Sequence, residues 1–152
     1  MVGERRRPVE HLFAVPKGAR HSHKPGRKAK LEQDFGALAA HVRRLPCLVE
    51  GCSRDQIDPA HVRSRGAGGH AWLLVEGAQV GNIVPLCRCH HTGGGGVTRP
   101  QHTVGVKAFE REQQLVVNLP GQPPRQVETL AHAAAIISWW VKAGAPEGAG
   151  PC

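Results

Sequence analysis

Two short turns constrain this chain more than any other feature. Cys47 and Cys52 are separated by Leu48, Val49, Glu50 and Gly51, while Cys87 and His90 are separated by Arg88 and Cys89. Each pair can bite one metal ion from a single turn. Zinc in structural sites takes four cysteine or histidine ligands in a tetrahedron, so the two turns together complete one site with no further residue. Gly51 suits the first turn, because tight ligand loops often need backbone angles closed to other residues. Cys89 stands as an alternative ligand to Cys87 or His90. Such a staple also meets a need set by composition. With 19 glycines, 12 prolines and 4% aromatic residues in 152, the apolar core is thin for the loops it must hold.

Disulfides are not expected to supply the staple. The N-terminus runs Glu4-Arg5-Arg6-Arg7 with no apolar stretch behind it, so no signal peptide is visible and a cytoplasmic location is expected. In a reducing compartment, cysteines grouped with histidines bind zinc more often than they oxidise. A thiol redox role for Cys87 and Cys89 is disfavoured, because their one-residue spacing is not the Cys-x-x-Cys of that chemistry. The longest apolar run, Ala133 to Val141 with Ser138 inside it, is too short to span a bilayer, so no membrane partner is expected. Twenty Lys and Arg against 12 Asp and Glu give a net charge of +8. That is the electrostatic footprint of a nucleic-acid binder, although anionic membranes and acidic proteins feel the same field.

Residues 1–30 scatter Arg5, Arg6, Arg7, Lys17, Arg20, Lys24, Arg27, Lys28 and Lys30 among proline, glycine and histidine with no regular period. They read as a disordered basic arm, suited to sequence-independent phosphate contact or simply to solubility. Leu31, Phe35, Leu38, Val42 and Leu45 fall at helical spacing and predict a helix over 31–44, ended by Pro46. Residues 47–92 suit hairpins and loops. Gly93–Gly96, with Thr98, Arg99 and Pro100, form a flexible insertion; Val104, Val106, Phe109 and Leu115 then suggest a helix from about Gln101. Pro120 to Pro124 reads as a linker. A last helix over 126–142 places Val127, Leu130, Ala134, Ile137 and Val141 on one face, with Trp139 and Trp140 near its end as core or docking surface. The organisation expected is a domain over 31–118, a linker and packing helix over 119–143, and a disordered tail over 144–152.

Between the two ligand turns lies a second pattern: Asp58-Pro59-Ala60-His61-Val62-Arg63-Ser64-Arg65 and a glycine-rich stretch to Gly69, then Gly81-Asn82-Ile83-Val84-Pro85-Leu86-Cys87-Arg88-Cys89-His90-His91. Downstream comes His102-x-x-Gly105-x-x-x-Phe109. In this order the motifs resemble the HNH endonucleases, and most closely a phage-encoded and recombination-associated variant. The resemblance covers residues 47–110. It implies an α+β fold: a small ββα-metal core, with a hairpin and helix around one catalytic divalent cation, stapled by a structural zinc on Cys47, Cys52, Cys87 and His90 and flanked by helices. The function implied is metal-dependent hydrolysis of DNA phosphodiester bonds in a bacterial or phage-infected host cytosol.

Carried over residue by residue, the resemblance makes His61 the general base, Asn82 the asparagine and His91 the histidine that holds the catalytic Mg²⁺ or Mn²⁺. The chemistry agrees with those roles. A neutral imidazole, with an ordinary pKa of about 6.5, can take a proton from water at neutral pH. A divalent cation supplies the Lewis acid that the crowded phosphate and leaving oxygen require. Asn82 cannot titrate, but its amide can bridge loop backbones and hold the His61 segment in register. The resembled nucleases carry a metal-binding residue immediately before the base, where this chain has Ala60. The second ligand is therefore expected from His102, with Asp58 as the alternative. Arg63 and Arg65 flank Ser64 just after the base and are placed to grip phosphates, or else are ordinary solvated loop residues. Other histidines, such as His21, His23 and His132, are read as structural or exposed. Ala60 also supports a reading from a different class, a zinc-stabilised DNA-binding module without catalysis.

Overall fold

The computed structural model describes residues 35–63 and 71–145. The basic arm, Leu31, Arg65 with the glycines that follow it, and the tail from 146 lie outside the described residues. The rest is a mixed α+β arrangement of small two-stranded antiparallel sheets and short helices around one apolar cluster.

Helix α1, Ala37–Arg44, buries Ala39 and Val42 on the face that the spacing predicts. It stops at Leu45, which turns to extended backbone and is itself buried, because Pro46 disfavours helical angles in the residue before it. Strand β1, Ile57–His61, pairs antiparallel with a later strand, Ile83–Cys87, in the register Ile57 to Cys87 and His61 to Ile83. Pro59 faces Pro85 in that ladder, and since neither has an N–H the two meet where an antiparallel pair exchanges no hydrogen bonds. Between them Trp72–Val75 (β2) and Ala78–Gly81 (β3) form a hairpin, which makes Ile83–Cys87 strand β4. Its turn residues Glu76 and Gly77 take φ of 50° and 80°, the paired left-handed conformation of a tight two-residue hairpin turn.

Gly81 ends the hairpin against two helices. A Cβ there would collide with Leu38 Cδ2, and the Gly81 N–H donates to Ser138 Oγ at 2.9 Å. Every residue of β4 is buried, and the chain passes from it straight into the four-residue helix α2, Arg88–His91.

The C-terminal half departs from the predicted elements. One helix was expected from Gln101 through Leu115; instead α3, Gln101–Val104, and α4, Val106–Glu112, are broken at Gly105, whose φ is 85°. Leu115 belongs to a strand, β5 (Leu115–Val117), paired antiparallel with β6 (Arg125–Val127). The Pro120–Pro124 segment is thus the loop joining two paired strands. Gln126 and Val127 lie in β6 and not in the last helix, α5, which spans Leu130–Lys142. Its start is set by two caps: Thr129 Oγ1 accepts from His132 N at 3.1 Å and Glu110 Oε1 accepts from Leu130 N at 2.9 Å. Leu130, Ala133, Ala134, Ile136 and Ile137 join Val42, Leu86, Phe109 and Val117 in the core. Trp139 is exposed, while Trp140 packs on the cluster edge-on to His41. Among the described residues no helix is long and apolar enough to cross a membrane.

Candidate functional site

The first ligand turn is sewn between two sheets. Leu48 N donates to Pro85 O on β4 at 3.0 Å, while Val116 N donates to Leu48 O at 2.8 Å and Glu50 N to Gln114 O at 2.9 Å beside β5. Cys52 N closes the turn on Val49 O at 3.1 Å, and Gly51 takes the positive φ, 75°, that the turn needs. The second turn begins where β4 becomes α2. Cys87 is the N-cap, its sulfur accepting from His90 N at 3.4 Å, which holds both ligands on one side of the junction.

These turns bring Cys47 Sγ, Cys52 Sγ, Cys87 Sγ and the His90 ring within 4.8 Å of one another. Cys52 and Cys87 sulfurs are 3.8 Å apart, and His90 Nδ1 lies 3.1 Å from Cys87 Sγ and 3.7 Å from Cys47 Sγ. A tetrahedron with zinc bonds of about 2.3 Å to sulfur and about 2.05 Å to nitrogen has edges of about 3.8 and about 3.6 Å. The donor set therefore fits a zinc ion. A disulfide does not fit, since it would need sulfurs about 2.05 Å apart. Burial pushes the Cys47 thiol up to about 12, with Cys87 and Cys52 adding to the rise against hydrogen bonds from the Cys87 and Val49 backbone. Such a thiol has no stable charge in its pocket unless a cation sits beside it. Burial and the nearby Arg54 charge hold His90 below the usual imidazole value, in the neutral form that ligates.

Cys89 is not one of the four. Its sulfur lies under the glycine insertion, where a Cβ on Gly95 would come within 2.9 Å of it. Gly95 itself has φ of 58°, and its carbonyl accepts from Arg54 Nη2 at 2.7 Å. The insertion is thereby folded back against the first ligand turn. Its far end is clasped by Arg99, which donates from Nε and Nη2 to Glu112 at 2.8 and 2.6 Å.

This folding brings His102 to His91. Their ring centroids are 4.4 Å apart with planes 78° from parallel. The two imidazoles, supplied by separate motifs, are thus direct neighbours in edge-to-face contact. Asp58 also meets His91, with Oδ2 3.3 Å from its Nδ1. Arg88 donates to both oxygens of the same carboxylate, at 3.4 and 3.2 Å. Burial raises the Asp58 pKa, but the hydrogen bonds and charges of Arg88 and His91 outweigh it and hold the carboxyl below its usual range.

His61 ends β1. By strand alternation its side chain leaves on the face opposite Asp58, and its ring meets Phe35 edge-on with centroids 5.7 Å apart. Its link to the histidine pair runs through the backbone. Gln101, next to His102 and 4% exposed, donates from Nε2 to His61 O at 2.8 Å. Just beyond, Arg63 N donates to Asn82 Oδ1 and Asn82 Nδ2 donates to Arg63 O, both at 2.8 Å, so the fully buried Asn82 amide bridges loop backbones as its residue type suggests. Ala60 is fully buried. Arg63 is exposed, and Arg65 lies outside the described residues.

Sequence reasoning missed Gln101 and Arg88. Arg88 carried a readable hint: it stands three residues before His91, the spacing that puts two side chains on one side of a helical turn. Gln101 carried only its place beside His102. No family model, curated protein or solved structure matches this chain.

Proposed function

We propose that this protein is a metal-dependent endonuclease that hydrolyses DNA phosphodiester bonds, with His61 as general base and His91 and His102 as protein ligands of the catalytic cation. The observation that carries the reading is the meeting of His91 with His102 across the glycine insertion, at 4.4 Å between ring centroids. These two residues come from separate motifs of the resemblance and are 11 positions apart in sequence.

The order of elements supports the same reading. β1, β4 and α2 supply two antiparallel strands and a helix, with the cysteine and histidine cluster at the strand-to-helix junction. That is the arrangement a ββα-metal core implies. His91 and His102 would hold Mg²⁺ or Mn²⁺, which would supply Lewis-acid stabilisation of the phosphate and leaving oxygen. The chain's own groups do the remainder. His61 takes the proton from the attacking water, Gln101 holds the His61 carbonyl and Asn82 the backbone of Arg63 two residues on, and exposed Arg63 meets a neighbouring phosphate. The charge of +8 favours the polyanion.

Purified protein incubated with supercoiled plasmid and Mg²⁺ or Mn²⁺ should give nicked or linear product, and His61→Ala should abolish it with zinc content and DNA binding retained. One observation favours a different reading. Buried Ala60 occupies the position where the resembled nucleases place a metal ligand, as in a zinc-stabilised DNA-binding module without catalysis. Plasmid left intact across divalent metals and pH, with a gel shift preserved, decides for that module.

A further inference from the structure

We propose that Asp58 is a positioning residue for His91: its carboxylate accepts the Nδ1–H of that ring and so presents Nε2, carrying the lone pair, as the nitrogen that meets the cation. The inference rests on the reading of His91 as a cation ligand. It gives Asp58 a role one step removed from the metal.

The chemistry of the contact sets the tautomer. An ionised carboxylate has only acceptors, so at 3.3 Å from Asp58 Oδ2 the His91 Nδ1 must be the donor. A neutral imidazole then has its lone pair on Nε2. Ligating histidines commonly donate their second nitrogen to a carboxylate, which fixes ring orientation and raises the basicity of the ligating atom.

Arg88 decides between orienting residue and direct ligand. Its guanidinium lies against both oxygens of Asp58, at 3.4 Å from Oδ2 and 3.2 Å from Oδ1. A divalent cation on that carboxylate would stand next to a fixed positive charge, whereas a cation beyond the His91 ring is one imidazole away from it. Backbone geometry explains how one carboxylate reaches both partners. Arg88 N donates to Gln56 O at 2.9 Å, which folds α2 back across β1, and Arg88 and His91 stand three residues apart on the side that faces Asp58. The Cys87 and His90 side of the same turn enters the zinc cluster. The helix is thus gripped twice, by the metal cluster on one side and by Asp58 on the other.

The test is ¹⁵N NMR of the ring nitrogens in protein loaded with one zinc ion, in wild type, Asp58→Ala and Asp58→Asn. Wild-type His91 should carry its proton on Nδ1, and a second equivalent of Zn²⁺ should shift the Nε2 resonance. Asp58→Ala should move the proton toward Nε2 and weaken Mn²⁺ binding, followed by electron paramagnetic resonance of free Mn²⁺, by 10- to 100-fold. Asp58→Asn keeps a neutral oxygen acceptor, so it should retain the wild-type tautomer and most of the affinity. Retention of one zinc per chain shows that the variants have folded. An Nδ1 shift on adding Zn²⁺, or an Asp58→Ala protein with unchanged tautomer and Mn²⁺ affinity, overturns the proposal. None of these readouts uses DNA cleavage: plasmid left intact with the expected tautomers removes the nuclease reading alone, and cleavage with the wrong tautomer removes only the role of Asp58.

Discussion

Asn82 holds Arg63 by both of its backbone polar groups, taking the N–H on Oδ1 and giving its own N–H to the carbonyl, each at 2.8 Å. Because the amide is fully buried, its two ends cannot trade one partner for water without cost. The neighbouring backbone adds to the hold, since Val62 N donates to Asn82 O at 3.3 Å. The segment leaving His61 is therefore fixed from the bend between β3 and β4, 19 residues from Arg63 in sequence, by a group that matches it donor for acceptor and acceptor for donor.

Asn82→Asp tests that match with almost no change in shape. The variant presents oxygen where Arg63 O needs a donor, and it places an unpaired charge in the core. It should lose about 3 kcal/mol or more of stability, measured by urea unfolding of the zinc-loaded protein. Asn82→Ala, which leaves two backbone groups without partners but buries no charge, should lose less, about 1–3 kcal/mol. Equal losses in the two would mean that the polarity of the amide does not matter.

Zinc should be present at one ion per chain and should hold the fold together. The cluster joins the turn after α1 to the start of α2, and the core around it is small. Chelation should release the metal and lower thermal stability by far more than the loss of a surface contact, as seen by calorimetry with metal content read by elemental analysis. Cys47→Ser or Cys87→Ser should mimic chelation. Cys89→Ser, which alters a sulfur outside the cluster, should leave zinc content unchanged.

The protonation of Cys47 makes this binding depend on pH in a particular way. Burial raises its thiol from 9.0 to about 12, so the metal-free folded chain keeps that proton through a range in which the unfolded chain has lost it. With the folded value raised, the stabilising contribution is complete below about pH 9 and is lost as pH rises toward 12. Metal-free protein should weaken across that window, by at most about 1.4 kcal/mol per pH unit, while zinc-loaded protein, already ionised there, should not. Calorimetric zinc titrations in buffers of different ionisation enthalpy provide a second readout. Binding at pH 10 should still displace a proton from Cys47, although an ordinary thiol would have lost it by then.

Much of the site was legible in sequence because its determinants are local. A cysteine pair spanning one turn, or a Cys-x-x-His step at a helix start, places two ligands together whatever the rest of the chain does, and all four expected zinc ligands converge. The failures are non-local. Leu115 and Val127 fit a helical period when read alone, but they pair with each other across the seven-residue loop 118–124, and a three-residue strand exists only through its partner. The start of α5 was misplaced for a related reason. Val127 continues the apolar stripe backwards past Thr129, whose hydroxyl caps the helix. Gln101 was invisible because its role depends on a carbonyl 40 residues away.

Gln101 also offers the most direct test of how the downstream element serves His61. Its Nε2 donates to His61 O, while its buried Oε1 has no partner among the described residues. A side chain 4% exposed with half of its amide unsatisfied is costly for stability alone, and such a cost is usually retained where the other half does something useful. Gln101→Ala should remove the donor that holds the end of β1. On the proposed nuclease reading, nicking should slow through kcat with little change in KM for DNA, because Gln101 is not among the groups proposed to meet phosphate. Gln101→Met, which restores volume but not the hydrogen bond, should recover stability and leave kcat low. Equal kcat in Gln101→Met and wild type would show that the residue only fills space between α3 and β1.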